Sequence, residues 1–489
     1  MRHHLIREVM QKVFFRNLVF LVSVNLIIKP LWIFGIDRTV QNVVGAESYG
    51  LYFVLTNLSF LTQIILDLGI SNYNNRLIAQ QEDLLVTQLS HIFRIKLMLS
   101  GIYLLITLFV AVVLKYSGHQ LYLLLLICFN QILASLIVYV RSNISALHHF
   151  VVDSMFSVMD KAIMIIACGT ILFAPSFRTH FTIDWFVYAQ LGSYVLTLTA
   201  ALLYVQSISG KIPFYFSSSF AKDLLKKAFP FALLIALMTI YAKIDGVMIQ
   251  KLLPGDGQRE AGLYASAFRL LDALNQFGYL FAVLLLPIFS RMLAKNQSVE
   301  SLVKTSFTTI LIVAVIASFV LSFYSKPVMQ ALYHEDPVYS AKILQWLIFC
   351  LIGTCTINIF GTLLTANGNL YLLSGVSAIA VAVNFLLNLF MIPRMKALGA
   401  AEAAMITQLL IALLNVLAAY KIFRWRVNVP LLVRLILFVA GSAFVFRLTV
   451  NSSFPWIITS IMAIVVCSAF AFLIGLLNFK GILSLIRAS

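Results

Sequence analysis

The sequence predicts an all-α integral membrane protein of about fourteen transmembrane helices, built from two related halves. Of its 489 residues 61% are hydrophobic and only 11% are charged, whereas a soluble globular domain carries roughly 25% charged residues. Apolar stretches of about 20 residues follow one another along the chain. A Gly-Leu-Tyr tripeptide occurs at Gly50–Tyr52 and again at Gly262–Tyr264, each time shortly after a glutamate.

The apolar stretches give the predicted order of the helices. At 1.5 Å of rise per residue, about 20 residues cross a hydrocarbon layer roughly 30 Å thick. The predicted spans are 13–35, 51–70, 95–114, 121–140, 154–174, 184–206, 229–250, 262–288, 305–325, 341–365, 370–392, 399–420, 431–450 and 455–478. The connections between them are short and leave no room for a soluble domain.

The distribution of basic residues predicts the orientation of the chain. With the N-terminus inside the cell, the cytoplasmic segments hold roughly twice as many Lys and Arg residues as the outer segments. This excess, rather than a nucleic-acid partner, accounts for the formal net charge of +17. The sequence therefore predicts that both termini lie in the cytoplasm.

The longest polar break, which follows the sixth span, divides the chain near its middle. Gly50 lies just before the second span and Gly262 opens the eighth, so the tripeptide relates corresponding helices of the two halves. The predicted domains are an N-terminal bundle of spans one to six (1–210), a cytoplasmic linker (211–228), a C-terminal bundle of spans seven to twelve (229–425) and two additional transmembrane helices (426–489).

Several charged residues inside predicted spans are candidates for substrate binding. Charges within a membrane normally face a bundle interior or a water-filled cavity, where they mark a transport path. Lys29, Lys243 and Asp245 lie roughly 20–25 Å from the cytoplasmic ends of their predicted helices, and Arg269 lies about 10 Å from the outer end of its own. The predicted cavity residues are therefore Lys29, Lys243, Asp245, Arg269 and Asp272.

Two interpretations of these residues remain open. Arg269 and Asp272 share a helical face at i and i+3, and Lys243 lies two residues before Asp245. Because the basic and acidic residues inside the spans balance, each pair is either a substrate contact or a structural ion pair. Lys29 precedes Pro30, which is expected to kink the first span, so this lysine binds an anionic headgroup or pairs with a distant acid.

A second set of charged residues lies nearer the predicted cytoplasmic ends of the helices. There a long side chain can reach the interface while its stem stays in the apolar layer. A structural or gating role is therefore predicted for Asp67, Arg76, Asp160 and Lys161.

Three segments resemble a known family. Segment 43–79 contains the first Gly-Leu-Tyr and then Leu-Asp-Leu-Gly-Ile, and segment 243–292 contains the second and ends in Leu-Pro-x-x-Ser-Arg. Segment 363–408 contains spaced asparagines, then Ile-Pro and Leu-Gly-Ala-Ala. In this order, over most of the chain, they resemble the polysaccharide transport family of O-antigen and lipid-linked oligosaccharide flippases, within the multidrug/oligosaccharidyl-lipid/polysaccharide (MOP) flippase superfamily.

The resemblance implies two pseudo-symmetric six-helix bundles around a central cavity, plus two C-terminal helices. It implies alternating access across the inner (cytoplasmic) membrane, with an oligosaccharide on undecaprenyl pyrophosphate as substrate, for a surface polymer such as lipopolysaccharide. Implied partners are membrane lipids, H⁺ or Na⁺ as a coupling ion, and a polysaccharide polymerase. In one respect the chain departs from the family, whose cavity is described as net cationic, because the intramembrane charges here sum to zero.

Two other functions fit the sequence less well. A cation-coupled exporter of small molecules, of the MATE type, would need a dominant carboxylate in the N-terminal bundle, whereas the first span offers Lys29. A membrane glycan polymerase or ligase would need a catalytic domain or loop outside the membrane, and the predicted outer loops are short. The sequence shows no cofactor motif, metal-ligand spacing or nucleophile motif, and the five cysteines lie in apolar runs, as small buried hydrophobic residues do.

Overall fold

The computed structural model describes residues 27–71, 85–147, 149–174, 178–209 and 218–477. These residues form helices joined by short connections and contain no strand. Among them, 13 helices are long and apolar enough to cross a membrane. The predicted all-α membrane fold is confirmed. Most of the first predicted span, 13–35, lies outside the described residues.

The helices follow one another along the chain with short connections. They are α1 (Ile27–Leu66), α2 (Leu85–Val113), α3 (His119–Ala146), α4 (Phe150–Phe173), α5 (Ile183–Ser209), α6 (Ser218–Leu252), α7 (Gly257–Ala294), α8 (Glu300–Phe323), α9 (Ser325–Leu332), α10 (Pro337–Leu347), α11 (Cys350–Ala366), α12 (Leu370–Met395), α13 (Ala397–Phe423), α14 (Val429–Val450) and α15 (Trp456–Leu473). The short α9 has 8 residues and cannot cross a membrane; α10 and α11 together form one span.

One glycine and one proline shape α1. Gly45 has φ 82° and ψ 165°, a conformation that side-chain-bearing residues rarely adopt, and it separates two helical limbs. Pro30 is followed by a π-helix over Leu31–Asp37. Proline lacks an N–H and its ring crowds the preceding turn, so a locally wider turn follows it. The stretch that the sequence predicts as a loop between the first two spans is therefore helix interrupted at Gly45.

The chain forms two compact units, Met1–Val247 and Met248–Ser489. In the first unit, buried Ile, Leu, Val and Tyr side chains of α2, α3 and α5 form a common core. In the second, Phe319 of α8 packs against Phe446 of α14 at a ring separation of 6.0 Å, and α15 joins the same core. The boundary between the units falls inside α6, and the predicted linker at 211–228 remains a prediction.

Many helices carry large apolar side chains on their outer surfaces. Leu105 of α2 is 72% exposed and Leu473 of α15 is 84% exposed. So much exposed apolar surface on so many helices would be unfavourable in water. In lipid it is favourable, provided that the backbone N–H and C=O groups are hydrogen-bonded within each helix. The exposed apolar faces therefore support the membrane-spanning interpretation.

The Leu-Gly-Ala-Ala motif at 398–401 lies where α12 turns into α13. Lys396 has φ 55°, which reverses the chain within one residue. A Cβ atom built on Gly399 would lie 2.5 Å from the carbonyl oxygen of Met391 and 2.6 Å from its carbonyl carbon. Only a glycine allows the start of α13 to lie this close to the end of α12.

We expect Gly399→Ala to lower the free energy of unfolding by about 1–3 kcal/mol, because the added methyl group overpacks a rigid backbone contact. Thermal unfolding of the purified protein in detergent measures the change. Gly375→Ala on α12 is the matched control, since a Cβ atom there meets nothing within 4 Å. Equal melting temperatures for the two variants would contradict the close approach of α12 and α13.

Candidate functional site

A lysine surrounded by aromatic rings lies inside the first unit. Lys161 occupies the middle of the 24-residue helix α4, and its Nζ atom lies 2.7 Å from Oδ2 of Asp160. The same Nζ lies 5.5 Å from the ring centres of both Trp32 on α1 and Tyr194 on α5. Cations at this distance are attracted to the negative faces of aromatic rings. We call these four residues the Lys161 cluster.

The cluster lies deeper in its helix than the sequence predicted. The predicted span begins at 154 because the charged Asp153 interrupts the apolar run, which would place Asp160 and Lys161 near a helix end. In the structure α4 begins at Phe150 and includes Asp153 in its first turn. Arg141 Nε donates to Asp153 Oδ1 at 2.8 Å, so the carboxylate is paired and the helix extends past it.

Aromatic and amide groups extend the Lys161 cluster. Trp32 stacks on Phe186 with ring centres 5.8 Å apart, and Tyr52 meets the same ring edge-on at 5.3 Å. Asn130 Nδ2 donates to Gln190 Oε1 at 3.2 Å, and the Tyr52 hydroxyl donates to that oxygen at 3.5 Å. Tyr52 belongs to the first Gly-Leu-Tyr repeat, which therefore supplies part of this wall.

This arrangement combines a cation, amide groups and aromatic ring faces. The side chain of Lys161 is 25% exposed and that of Asp160 is 15% exposed, so the ion pair can be reached from outside the core. An ammonium has three donors, and Asp160 accepts from one of them. The ammonium can pair with a phosphate, the amides can bond hydroxyl groups, and the ring faces offer apolar contact.

A second buried ion pair closes the end of α1. Lys96 on α2 is 1% exposed, and its Nζ donates to Asp67 Oδ1 at 2.6 Å, to the Leu66 carbonyl at 3.0 Å and to Ser135 Oγ at 3.0 Å. The Ser71 hydroxyl also donates to Asp67. The Leu-Asp-Leu-Gly-Ile motif is thus a helix end that α2 and α3 hold in place. A gating role for Asp67 remains a prediction.

The predicted cavity residues of the first unit lie on α1 and α6. Lys29 is half-buried near the start of the described part of α1. On α6, Lys243 Nζ lies 5.4 Å from the Phe60 ring centre, and Asp245 is 4% exposed. A Cβ atom on the following Gly246 would lie 2.5 Å from Asn57 Nδ2, so α6 approaches α1 closely here.

The remaining predicted residues divide between the second unit and the undescribed part of the chain. Arg269 and Asp272 are both half-buried on α7. Because α7 begins at Gly257, Arg269 lies about 18 Å along it rather than the predicted 10 Å. Arg76 lies outside the described residues. Substrate contact by the five predicted cavity residues remains a prediction.

The glutamate of the second repeat forms a buried node in the second unit. Glu260 is 3% exposed; its Oε2 accepts from the Tyr339 hydroxyl at 3.0 Å and from the Ala397 backbone N–H at 3.3 Å. Lys396 Nζ lies 3.3 Å from Glu260 Oε1 and 2.6 Å from Asp256 Oδ2. The hydrogen bond from Lys396 lowers the pKa of Asp256, and the same bond raises the pKa of Lys396. The node ties the start of α7 to α10 and α13.

The described part of the chain contains no metal-binding group of side chains and no reactive arrangement of cysteines. No group of three His, Cys, Asp or Glu side chains there could hold a metal ion. The five cysteines are free and buried, as expected of small apolar residues.

Comparison with known proteins decides the family. The model of the family described as polysaccharide biosynthesis protein matches residues 14–293, which is more than half of the 489 residues. The chain belongs to the polysaccharide biosynthesis protein family. The predicted resemblance to polysaccharide flippases is thereby confirmed at the level of the family. No curated protein matches this family member in sequence.

Solved structures of MOP-superfamily transporters share the fold of this polysaccharide biosynthesis protein. A structure titled lipid II flippase MurJ, inward closed conformation, has a TM-score of 0.72 at 14% identity and covers 93% of this chain and 99% of its own. An inward-facing multidrug resistance MATE family transporter of the MOP superfamily has a TM-score of 0.58 at 16% identity, covering 80% and 93%. A MOP superfamily transporter from Pyrococcus furiosus has 0.56 at 13%, covering 83% and 94%. At 13–16% identity, the likeness to these structures shows a shared fold.

Several residues that form these sites were not predicted from the sequence. Because the predicted span begins at 95, Lys96 falls among the charges of a cytoplasmic segment. Asp37 falls in a predicted loop, yet it is 2% exposed and accepts from the Tyr49 hydroxyl at 2.7 Å. Trp32 and Tyr194 carry no charge and belong to no recognisable pattern. For Lys96 a signal existed, because Asp67 inside a span requires a nearby cation.

Proposed function

We propose that this protein is a flippase that moves an oligosaccharide repeat unit on undecaprenyl pyrophosphate across the cytoplasmic membrane by alternating access. The delivered unit would serve synthesis of a surface polysaccharide such as the O-antigen of lipopolysaccharide, with a polysaccharide polymerase as the partner that receives it. The family and the fold support lipid-linked transport. The observation that carries the proposal is the Lys161 cluster inside the first unit.

The Lys161 cluster suits the charged and sugar-bearing part of such a substrate. Asp160 and the two aromatic rings hold Lys161 in the membrane at a reduced cost, since a lone charge at a helix centre costs about 2.5–3.5 kcal/mol on insertion scales. The pairing is monodentate, so the ammonium keeps donors for phosphate oxygens. Trp32, Gln190 and Asn130 supply a ring face and amides for the adjoining sugar.

The other cavity candidates are proposed as substrate contacts within each unit. In the first unit Lys29 and Lys243 would add positive charge, and Asp245 would position them. In the second unit Arg269 would contact phosphate, and Asp272 would position its guanidinium. Arginine suits phosphate because its planar fork can bind two oxygens and stays charged when poorly hydrated.

Exchanging Arg269 and Asp272 separates the two interpretations of that pair. If Arg269 contacts substrate, Arg269→Ala and the exchange (Arg269→Asp with Asp272→Arg) both lose export while membrane abundance stays normal. Arg269→Lys recovers little, because a point charge cannot reproduce the fork. Surface glycan and protein abundance are measured together in each strain. Full export by the exchanged variant would show that the pair is structural.

A MATE-type exporter is the alternative, and one observation favours it. Asp245 is a nearly buried carboxylate on α6 and could exchange H⁺ or Na⁺. Against it, Asp67 and Asp160 in the first unit each bond a lysine, and Asp37 accepts from Tyr49, which leaves these carboxylates less suited to binding a cationic substrate.

The Asp245→Asn variant tests whether this carboxylate couples an ion. If glycan export is retained but no longer depends on a proton or sodium gradient, Asp245 has an ion-coupling role in a flippase.

The proposed orientation places both termini in the cytoplasm. A reporter active only in the cytoplasm should be active when inserted in the connection 424–428, which contains Arg424 and Arg426, and inactive in the connection 253–256 between α6 and α7. The charge bias of the connections is the physical reason. Insertions with reversed activities at these two sites would contradict the orientation.

Gene deletion tests the function in the cell. Loss of the flippase should remove the surface polymer and cause lipid-linked repeat units to accumulate on the inner face of the membrane. A plasmid copy should restore the polymer, and a copy with Lys161→Ala should not. Normal surface polymer in the deletion strain, with no accumulated repeat units, would exclude this role.

A further inference from the structure

A basic cavity lies in the second unit, where α8, α14 and the chain after α15 meet. Its volume is about 440 Å³, and its polar lining includes Lys304, Arg434, Asn428 and three threonines of α8. None of the described residues that line it is acidic. The cavity is therefore suited to an anion.

The cations are arranged so that their donors stay available. Arg434 Nη1 donates to the Gly475 carbonyl at 3.3 Å, which anchors the guanidinium to one wall by one of its five N–H groups. Lys304 is exposed on the opposite helix. Asn428 caps α14 by accepting from the Leu431 N–H at 3.0 Å, and the positive end of that helix adds to the potential. The acid on the same face is Glu300, one turn before Lys304 on α8.

The cavity lies beside lipid-facing surface. Lys304 and Arg434 are each about one turn from the start of their helices, where a span meets the membrane–water boundary. Beside Arg434 on α14, Leu432 is 50% exposed and Ile436 is 59% exposed. A polar cavity that opens next to an apolar face matches a molecule with a charged head and hydrocarbon tails.

Size selects among such molecules. Small-ligand sites range over about 300–1,000 Å³, so a cavity of about 440 Å³ accommodates a glycerophosphate headgroup but not an oligosaccharide. Basic pockets between transmembrane helices bind anionic lipid headgroups. We propose that this cavity holds the phosphate of an anionic glycerophospholipid from the surrounding membrane, with its acyl chains on the exposed face of α14. The bound lipid joins α14 and α15 to α8, and this role is independent of the transported substrate.

Lipid binding to the purified full-length protein in detergent tests the assignment. Short-chain phosphatidylglycerol should raise the melting temperature of the wild type, and its apparent Kd should weaken roughly tenfold or more in the Lys304→Gln/Arg434→Gln variant, which loses two cations at the membrane surface. The matched control is Lys326→Gln/Arg447→Gln, which removes two exposed cations near the opposite ends of α8 and α14. The control should bind like the wild type.

Further arms identify the ligand. Phosphatidylcholine, whose headgroup carries its own cation, should bind weakly, and inorganic phosphate at the same concentration should leave the melting temperature unchanged. Equal binding by the double variant and the control, or equal binding of the two lipids, would overturn the site. A full shift from inorganic phosphate alone would assign the cavity to a free anion instead of a lipid. If the double variant fails to fold, Lys304→Gln alone serves, because this exposed side chain can be replaced without opening the core.

Discussion

Replacing Lys96 by alanine should lower the free energy of unfolding by about 2–4 kcal/mol, which is the largest stability effect that we expect from one substitution. Breaking a buried ion pair costs about 3–5 kcal/mol because the partner loses its compensation. The side chain of Asp67 is 31% exposed, so water recovers part of that loss. Ser135 Oγ would lose its donor as well, and the Leu66 carbonyl would keep only the Ser135 hydroxyl.

Thermal unfolding and the yield of monodisperse protein measure this effect. Lys115→Ala, at an exposed position just after α2, is the matched control and should leave the melting temperature unchanged. The neutral pair Lys96→Met/Asp67→Asn should recover part of the stability, since replacing both charges avoids an orphaned carboxylate. A Lys96→Ala protein as stable as the control would contradict the structural importance of this pair.

Lys161→Ala should reduce export of the surface polymer roughly ten- to hundredfold, because a hydrogen bond to a charged group contributes about 1.5–3 kcal/mol. Lys161→Arg keeps the charge near Trp32 and Tyr194 and should retain part of the activity. Export is measured as surface glycan per unit of membrane protein. Dividing by the amount of membrane protein separates the loss of export from a loss of abundance.

A neutral double variant separates substrate binding from scaffolding. Lys161→Ala alone leaves the Asp160 carboxylate in the membrane without its closest cation, which damages both folding and anion binding. Lys161→Ala/Asp160→Asn removes that penalty. If Lys161 contacts the substrate, the double variant folds normally and still fails to export. Restored export would show that the ion pair only stabilises the bundle.

The membrane fold could be predicted from composition and apolar length, whereas the helix ends could not. The stretch around Asp37 carries polar residues, which predict a loop. In the structure it is helical and Asp37 is buried, because the Tyr49 hydroxyl compensates its carboxylate. A hydrogen bond between side chains on two limbs of α1 is invisible to hydropathy. Local polarity therefore misplaced the loop.

The repeat illustrates the same limit. Both Gly-Leu-Tyr tripeptides are buried, as a shared packing role predicts. The glutamates before them differ, since Glu47 is exposed and Glu260 is 3% exposed. Tyr339 and Lys396, which lie far along the chain, compensate Glu260. Sequence similarity between the halves therefore predicted position but not environment.

Candidate charges could be found from the sequence, but their partners could not. Asp160 and Lys161 are adjacent in the sequence, so their proximity needs no structure. The rings that surround Lys161 come from α1 and α5, and the cation for Asp67 comes from α2. Such partners depend on how helices pack, which periodicity within one helix does not encode.

Reconstituted transport is the most direct test of the proposed function. Purified protein is incorporated into vesicles that carry a labelled oligosaccharide on undecaprenyl pyrophosphate, and an impermeant glycan-modifying reagent reports how much label is accessible from outside. We expect wild-type protein to make the inner pool accessible, whereas protein-free vesicles and vesicles with Lys161→Ala keep it protected. An inner pool that stays protected with correctly folded wild-type protein, while the same vesicles transport a cationic dye, would contradict the flippase and favour the exporter.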